Sequence, residues 1–159
     1  MAIQQLMLGA GGPATEKTYV DNVFNTYAYI GNGATSRNIT TNVDLVNNEG
    51  MVWYKQRSGG QGHRLADTVR GATKVIESYD TTAEVTESTG LNAFLNNGFT
   101  IGNEDNINQD TEQHVAWTFR HAPGFFDVVT YEGNGSNRTL AHSLGCVPGC
   151  IMIHLMHSH

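Results

Sequence analysis

Residues 114–121 read HVAWTFRH. Val115, Trp117 and Phe119 alternate with His114, Ala116, Thr118 and Arg120, and a period of two is the mark of a half-buried strand. β-branched and aromatic residues fit a pleated surface better than a helical one. Outward from this stretch, the chain offers further short strand candidates separated by turn residues. They are YVDNVFNTYAYI (19–30), RNITTNVDL (37–45), GMVWYKQR (50–57), HRLADTV (63–69), TKVIES (73–78) and GLNAFLNNGFTIG (90–102), with a Thr-rich bridge at 80–89. Asn97-Gly98 within the last is a hairpin signal. The one helical candidate, TTAEVTESTGLNAFL at 81–95, is weakened by its Thr and Gly residues. The spacing predicts an all-β fold, an antiparallel β-sandwich of jelly-roll or concanavalin-like type.

Composition limits what such a fold can do. The chain has 159 residues, which favours a single domain with a real core. Charged residues are 15% of it, the formal net charge is −6 and only nine residues are Lys or Arg. With no basic cluster to neutralise phosphates, nucleic acid is not an expected partner. No stretch approaches the roughly 20 apolar residues of a membrane helix, so membrane insertion is not expected. The start, MAIQQLMLG, lacks a basic region and is too short for a secretory signal. Seventeen Thr and fifteen Asn imply an exterior built from hydroxyls and amides, suited to packing against other protein or to standing exposed outside a cell.

The chain spells one motif twice. VFNTYAYIGNG opens at Val23 and FFDVVTYEGNG opens at Phe125. Phe24, Tyr29, Gly31-Asn32-Gly33, Arg37 and Ile39 line up with Phe126, Tyr131, Gly133-Asn134-Gly135, Arg138 and Leu140. Leu45 and GMVWYK from Gly50 then line up with Leu144 and GCIMIH from Gly149, each Leu five residues before its Gly. The agreement of spacing, polarity and turn chemistry predicts an internal repeat; two similar hairpin turns within one sandwich would be the simpler reading. Residues 1–17 are then an N-terminal arm or anchor and 18–159 one sandwich domain. Within it, 124–159 is the start of a second unit packed onto the first. Three strands alone cannot bury a sandwich face, so Ile151, Ile153 and Leu155 are candidates either to complete the first unit's sheets or to meet a partner.

Several segments taken together resemble a known family. MAIQQLMLGAGGP, YVDNVFNTYAYIGNG, DTVRGATK, GFTIG, AWTFRHAPGFFDVVTYEGNG and RTLAHSLGCVPGC are similar, in order, to a repeated β domain of virion structural proteins of tailed marine bacteriophages, cyanophages especially. The resemblance runs from residue 1 to about residue 153. It implies tail fibres, appendages or capsid accessory proteins on the exposed surface of a phage particle, made in the host cytoplasm. The chain stops inside the second unit and ends HLMHSH, where relatives typically carry Lys or Arg and then a polar loop. Both departures favour a small capsid-decorating, knob-like or tail-associated protein. Expected partners are other virion proteins and further copies of the chain. Ile3, Leu6, Met7 and Leu8 are the candidate contacts for attachment.

Other clusters invite chemistry. His142, His154, His157 and His159 are imidazoles close in sequence, but on a strand His154 and His157 point to opposite faces. His63, Asp67 and Arg70 could suggest acid–base work, although Asp and Arg at this spacing more often form an ion pair. Glu104, Asp105, Asn106, Asn108 and Asp110 offer calcium-type oxygens without an EF-hand order. Trp53, Tyr54 and Trp117 would make a sugar-stacking platform if they faced outward, so a host-glycan-binding module is the alternative function; core packing is the commoner use. Cys146 and Cys150, spaced CVPGC, lack zinc or redox spacing and read as reduced thiols. No enzymatic activity, cofactor or metal is expected.

Overall fold

The computed structural model describes residues 18–156. A single helical turn, α1 (Val20–Val23), leads into β1 (Phe24–Ile30). There follow β2 (Arg37–Thr40), β3 (Gly50–Gln56), β4 (Arg64–Asp67), β5 (Lys74–Glu77), β6 (Val85–Thr86), β7 (Leu91–Leu95) and β8 (Gly98–Ile101). A second short turn, α2 (Asp105–Asn108), precedes β9 (Gln113–Arg120). The strands form a six-stranded sheet, β1-β9-β3-β4-β5-β6, and a three-stranded sheet, β2-β8-β7. Every pairing is antiparallel, and the fold is an all-β sandwich. The N-terminal arm, with Ile3, Leu6, Met7 and Leu8, lies outside the described residues.

HVAWTFRH is the centre of the larger sheet. β9 sits between β1 and β3, with Phe24 opposite Phe119 on one side and Trp53 opposite Trp117 on the other. The strand and its period are as the alternation predicts, but the row that faces the second sheet is the unexpected one. His114, Ala116 and Thr118 are buried, whereas Trp117 and Phe119 are only partly so. Size explains the choice. The sandwich interior is filled by Tyr29, Val52, Tyr54, Ala66 and Val75 from one sheet and Ile39, Leu91, Phe99 and Ile101 from the other, with Val43, Leu45 and Ile107 closing the ends. Facing sheets lie only about 10 Å apart, so small residues on the central strand make room for Tyr54 and Phe99.

The remaining elements follow local chemistry. β7 and β8 form the hairpin signalled by Asn97-Gly98, with Leu95 opposite Gly98; the connecting residues are Asn96 and Asn97, and Gly98 is the first residue of its strand. The segment at 81–95 is not helical and supplies β6 and β7 instead, because its Thr and Val residues favour extended backbone that neighbouring strands can pair. Arg64 on β4 donates to Glu77 at 2.6 Å and also to Glu87. These side chains are largely buried, so the ion pairs tie β4, β5 and the β6–β7 connection where loss of one partner would leave an unmatched charge.

The two spellings of the repeat share their local structure. Gly33 and Gly135 both adopt left-handed backbone, with φ of 61° and 68°. The Asn32 side chain accepts from Ala34 N at 3.1 Å, and Asn134 accepts from Ser136 N at 3.1 Å. Arg37 lies over the Tyr29 ring and Arg138 over the Tyr131 ring, each 5.2 Å from the centroid. Yet the first spelling is strand β1 and the second is coil. After the Ala122–Phe126 bridge, residues 127–156 form no helix or strand.

Candidate functional site

The outer face of the six-stranded sheet carries its own apolar cluster. Met51, Leu65 and Ile76 are buried there, with Trp53, Phe119, Phe126 and Val128 packed around them. Strand register builds the row: Trp117, Trp53, Leu65 and Ile76 are successive cross-strand neighbours and so share one face. Trp53 and Trp117 meet edge to face at 5.8 Å, and Trp53 Nε1 donates to His63 Nδ1 at 3.0 Å. His63 in turn stacks on Trp117 at 6.3 Å. Accepting through Nδ1 leaves the neutral His63 ring its proton on Nε2. Tyr54 belongs to the opposite, inner face and is fully buried. The three aromatic residues of the sugar-platform expectation are therefore split, because adjacent strand residues point to opposite sides.

The second spelling covers one end of this face. Phe119 is flanked by Phe24 at 5.0 Å and by Phe126 at 5.2 Å, the two residues that the repeat aligns. Asp127 accepts from Ser143 N at 2.7 Å, Ser143 Oγ at 2.9 Å and Val128 N at 2.9 Å. Burial alone would raise this carboxyl, but these donors outweigh it and hold its pKa below the usual carboxylate range. His121 Nε2 lies 2.7 Å from Ser143 Oγ. A serine, a histidine and an aspartate thus meet, which no sequence spacing announced. Their wiring is that of a turn clamp. Ser143 stands between the other two and gives its proton to Asp127, so the carboxylate does not orient the imidazole of a nucleophilic triad.

Further along, Gly124 N donates to Leu144 O at 2.7 Å. His154 Nε2 lies 3.0 Å from Glu77 O and 3.1 Å from Asp80 O, and Glu84 N donates to Met156 O at 3.1 Å. His154 is thereby a tether to the β5–β6 end of the sheet. Ile151, Ile153 and Leu155 on either side of it are exposed, at 71%, 75% and 63%.

The other candidates disperse. His63 belongs to the Trp pair, whereas Arg70 donates to Asp67 at 2.5 Å and to Glu84 at 3.3 Å. In the acidic loop, Glu104 accepts from Asn106 at 2.8 Å. Asn108 accepts from Asn32 N and donates to the Ala34 and Gly102 carbonyls, so its oxygen already serves the β1–β2 turn. His142 Nδ1 accepts from Leu144 N, His157 and His159 lie outside the described residues, and Cys146 and Cys150 are free and exposed. Among the described residues, no three His, Cys, Asp or Glu side chains are grouped to hold a metal ion, and no helix is long and apolar enough to cross a membrane.

A family model described as "Domain of unknown function (DUF7483)" matches residues 20–159. The chain belongs to this family. The DUF7483 match takes in every strand of the sandwich and continues through the second spelling to the clamp at Ser143 and the tether at His154. No curated protein and no solved structure matches the chain.

Proposed function

We propose that the chain is a non-enzymatic structural protein of a bacteriophage particle. It would be a capsid-decorating, knob-like or tail-associated accessory that docks on other virion proteins and stands on the particle surface. The observation that carries this reading is the ordered set of segments that resembles phage virion domains, from MAIQQLMLGAGGP to RTLAHSLGCVPGC. The chemistry of the surface supports it: an exterior rich in Thr and Asn with 15% charged residues suits close packing against a protein lattice. Many weak contacts on a repeating lattice give stable occupancy through effective concentration. The test is to label the chain, purify particles and image them. Labelled copies at fixed positions are expected, and deletion of residues 1–12 should leave a folded domain that no longer attaches. Unchanged attachment of the deletion would refute anchoring by Ile3, Leu6, Met7 and Leu8, and particles without label would refute the whole reading.

A second reading rests on Trp53 and Trp117, which lie half-buried on the outer face and not in the sandwich interior. A module that stacks host surface sugars on that face would lose binding on Trp117→Ala. Titration with host polysaccharide decides this, and no uptake of heat at any concentration ends it.

A further inference from the structure

An open sheet edge invites another strand, and folded proteins blunt such edges by brevity, charge, proline or a bulge. Among the described residues, three of the four sheet edges are blunted in this way. β6 has two residues, β7 carries a register shift between Leu91 and Ala93, and β2 has four residues and opens on Arg37. β1 is the exception. FNTYAYI is seven residues long, pairs with β9 without a break, and contains no charge and no proline. Its Tyr27 and Ile30 are 40% and 62% exposed.

Register decides which backbone groups of β1 face outward. Gly31 N donates to Glu112 O, which continues the Ile30–Gln113 pair by one step. The backbone groups of Gly31, and by alternation those of Tyr29, Tyr27 and Asn25, therefore point at β9. Those of Phe24, Thr26, Ala28 and Ile30 point away from it. Two local bonds agree with this: Phe24 N donates to Val20 O, and Ile30 O accepts from Arg37 at 2.6 Å. Beyond Ile30 the edge closes, because Gly31 lies so near Gln109 that a Cβ would collide with its carbonyl. Among the described residues, the outward groups left without a partner are Phe24 O, both groups of Thr26, both groups of Ala28, and Ile30 N.

We propose that β1 is a dimerisation edge, on which a second copy of the chain pairs its own β1 antiparallel with Tyr27 on the two-fold axis. In that register Thr26 faces Ala28 of the second copy, and Phe24 faces its Ile30. Thr26 N and Ala28 N each donate to the other's carbonyl across the axis, and Ile30 N donates to Phe24 O. The one bond this arrangement omits is Phe24 N to Ile30 O, and those are the two groups already satisfied within each chain. An axis on Thr26 would leave Ala28 O unpaired, and one on Ala28 would leave Thr26 N unpaired. The pattern of free and occupied groups is thus its own complement, as an isologous interface requires, and this selects a second copy as the occupant. Charge agrees. No like charges oppose each other along the strand, and each end brings Arg37 of one copy towards the α1 turn of the other, which carries the exposed Asp21. Tyr27, which stacks on Tyr29 at 6.2 Å, meets its own copy in a non-hydrogen-bonded pair, where cross-strand side chains come closest. The six-stranded sheet of one copy then runs on into that of the other. A single strand edge is small for an interface, so association belongs in the micromolar to millimolar range. This inference is independent of the phage reading, since it rests on the edge alone.

The test is sedimentation of the full chain from about 1 μM to 1 mM, where a monomer–dimer equilibrium is expected. Ala28→Pro should weaken association by about tenfold or more with the strand signal in circular dichroism retained, because Ala28 N points away from β9 and its loss breaks no bond within the chain. In a Cys146→Ser, Cys150→Ser background, Tyr27→Cys should form an intermolecular disulfide on mild oxidation. Ile30→Cys should not, since only position 27 meets itself across the axis. The cysteine pair decides whether or not the proline variant folds. A monomer at every concentration overturns the proposal, as does a dimer that a folded Ala28→Pro retains. Cross-linking of Ile30→Cys as readily as Tyr27→Cys overturns the register. A monomer whose Thr26, Ala28 and Ile30 amides are nevertheless protected from exchange overturns the choice of occupant in favour of another segment of the same chain.

Discussion

Residues 23–33 and 125–135 are close to the same sentence written twice, and they fold to different ends. The parts that depend on neighbours in sequence are reproduced: the Asn side-chain turn, the left-handed glycine and the arginine over the tyrosine ring. The part that depends on a distant partner is not. Phe24–Ile30 is a strand because β9 lies along it with seven cross-strand pairs, and residues 126–132 have no such neighbour among the described residues. Turn chemistry is thus local information, whereas strand identity belongs to the pair.

Matched substitutions in the two copies give the sharpest ways to break that comparison. The largest effect is expected at the first turn. Gly31→Val must push the Gln109 backbone aside and should lower stability by about 3 kcal/mol in urea unfolding. Gly133→Val should cost close to nothing, and equal costs would mean that both turns are packed alike. Next in size is the β3 pair. Val52→Ala removes buried methyl groups from the sandwich interior and should cost about 2 kcal/mol. Ile151→Ala at its exposed counterpart should stay within about 0.5 kcal/mol.

The smallest effect is electrostatic and belongs to the first copy alone. His114 stacks on Tyr29 at 5.4 Å, and among the described residues no counterpart of it faces Tyr131. Burial lowers its pKa below 6.5; Glu112 and the nearby Gln109 and Asn106 carbonyls pull the other way without overcoming that. The folded chain therefore resists a proton that the unfolded chain accepts. The His114 contribution is complete above about pH 6.5, declines as pH falls below it, and levels off below the folded pKa. Urea midpoints between pH 7.5 and about 5 should converge for the native chain and His114→Gln at the acid end, relative to their separation at neutral pH. A constant separation would place the ring in solvent.

Much of this fold was legible in single strands and little of it in their faces. The period of HVAWTFRH, the Asn97-Gly98 hairpin and the sandwich class all follow from local pattern and turn residues. Which row of β9 points inward does not, because that depends on Tyr54 and Phe99 needing space across the sandwich. The same lack hid the pairing of Trp53 with His63 and the clamp of Asp127, Ser143 and His121. Those residues are separated in sequence and meet only through strand register and the path of the chain after β9. The Asp67–Arg70 ion pair was legible because three residues of one turn bring it together.

One further consequence lies in the order in which the sheet can be assembled. β9 is the last strand among the described residues and yet is central, holding β1 and β3 apart in the sheet. During synthesis from the N-terminus, β1 must therefore wait through more than 80 residues before β9, its only neighbour among the described residues, emerges. Pairings so distant in sequence make for slow closure and a long interval with an uncovered core. Until then the segment at 23–37 can hold its turn and its arginine–tyrosine contact but not strand β1.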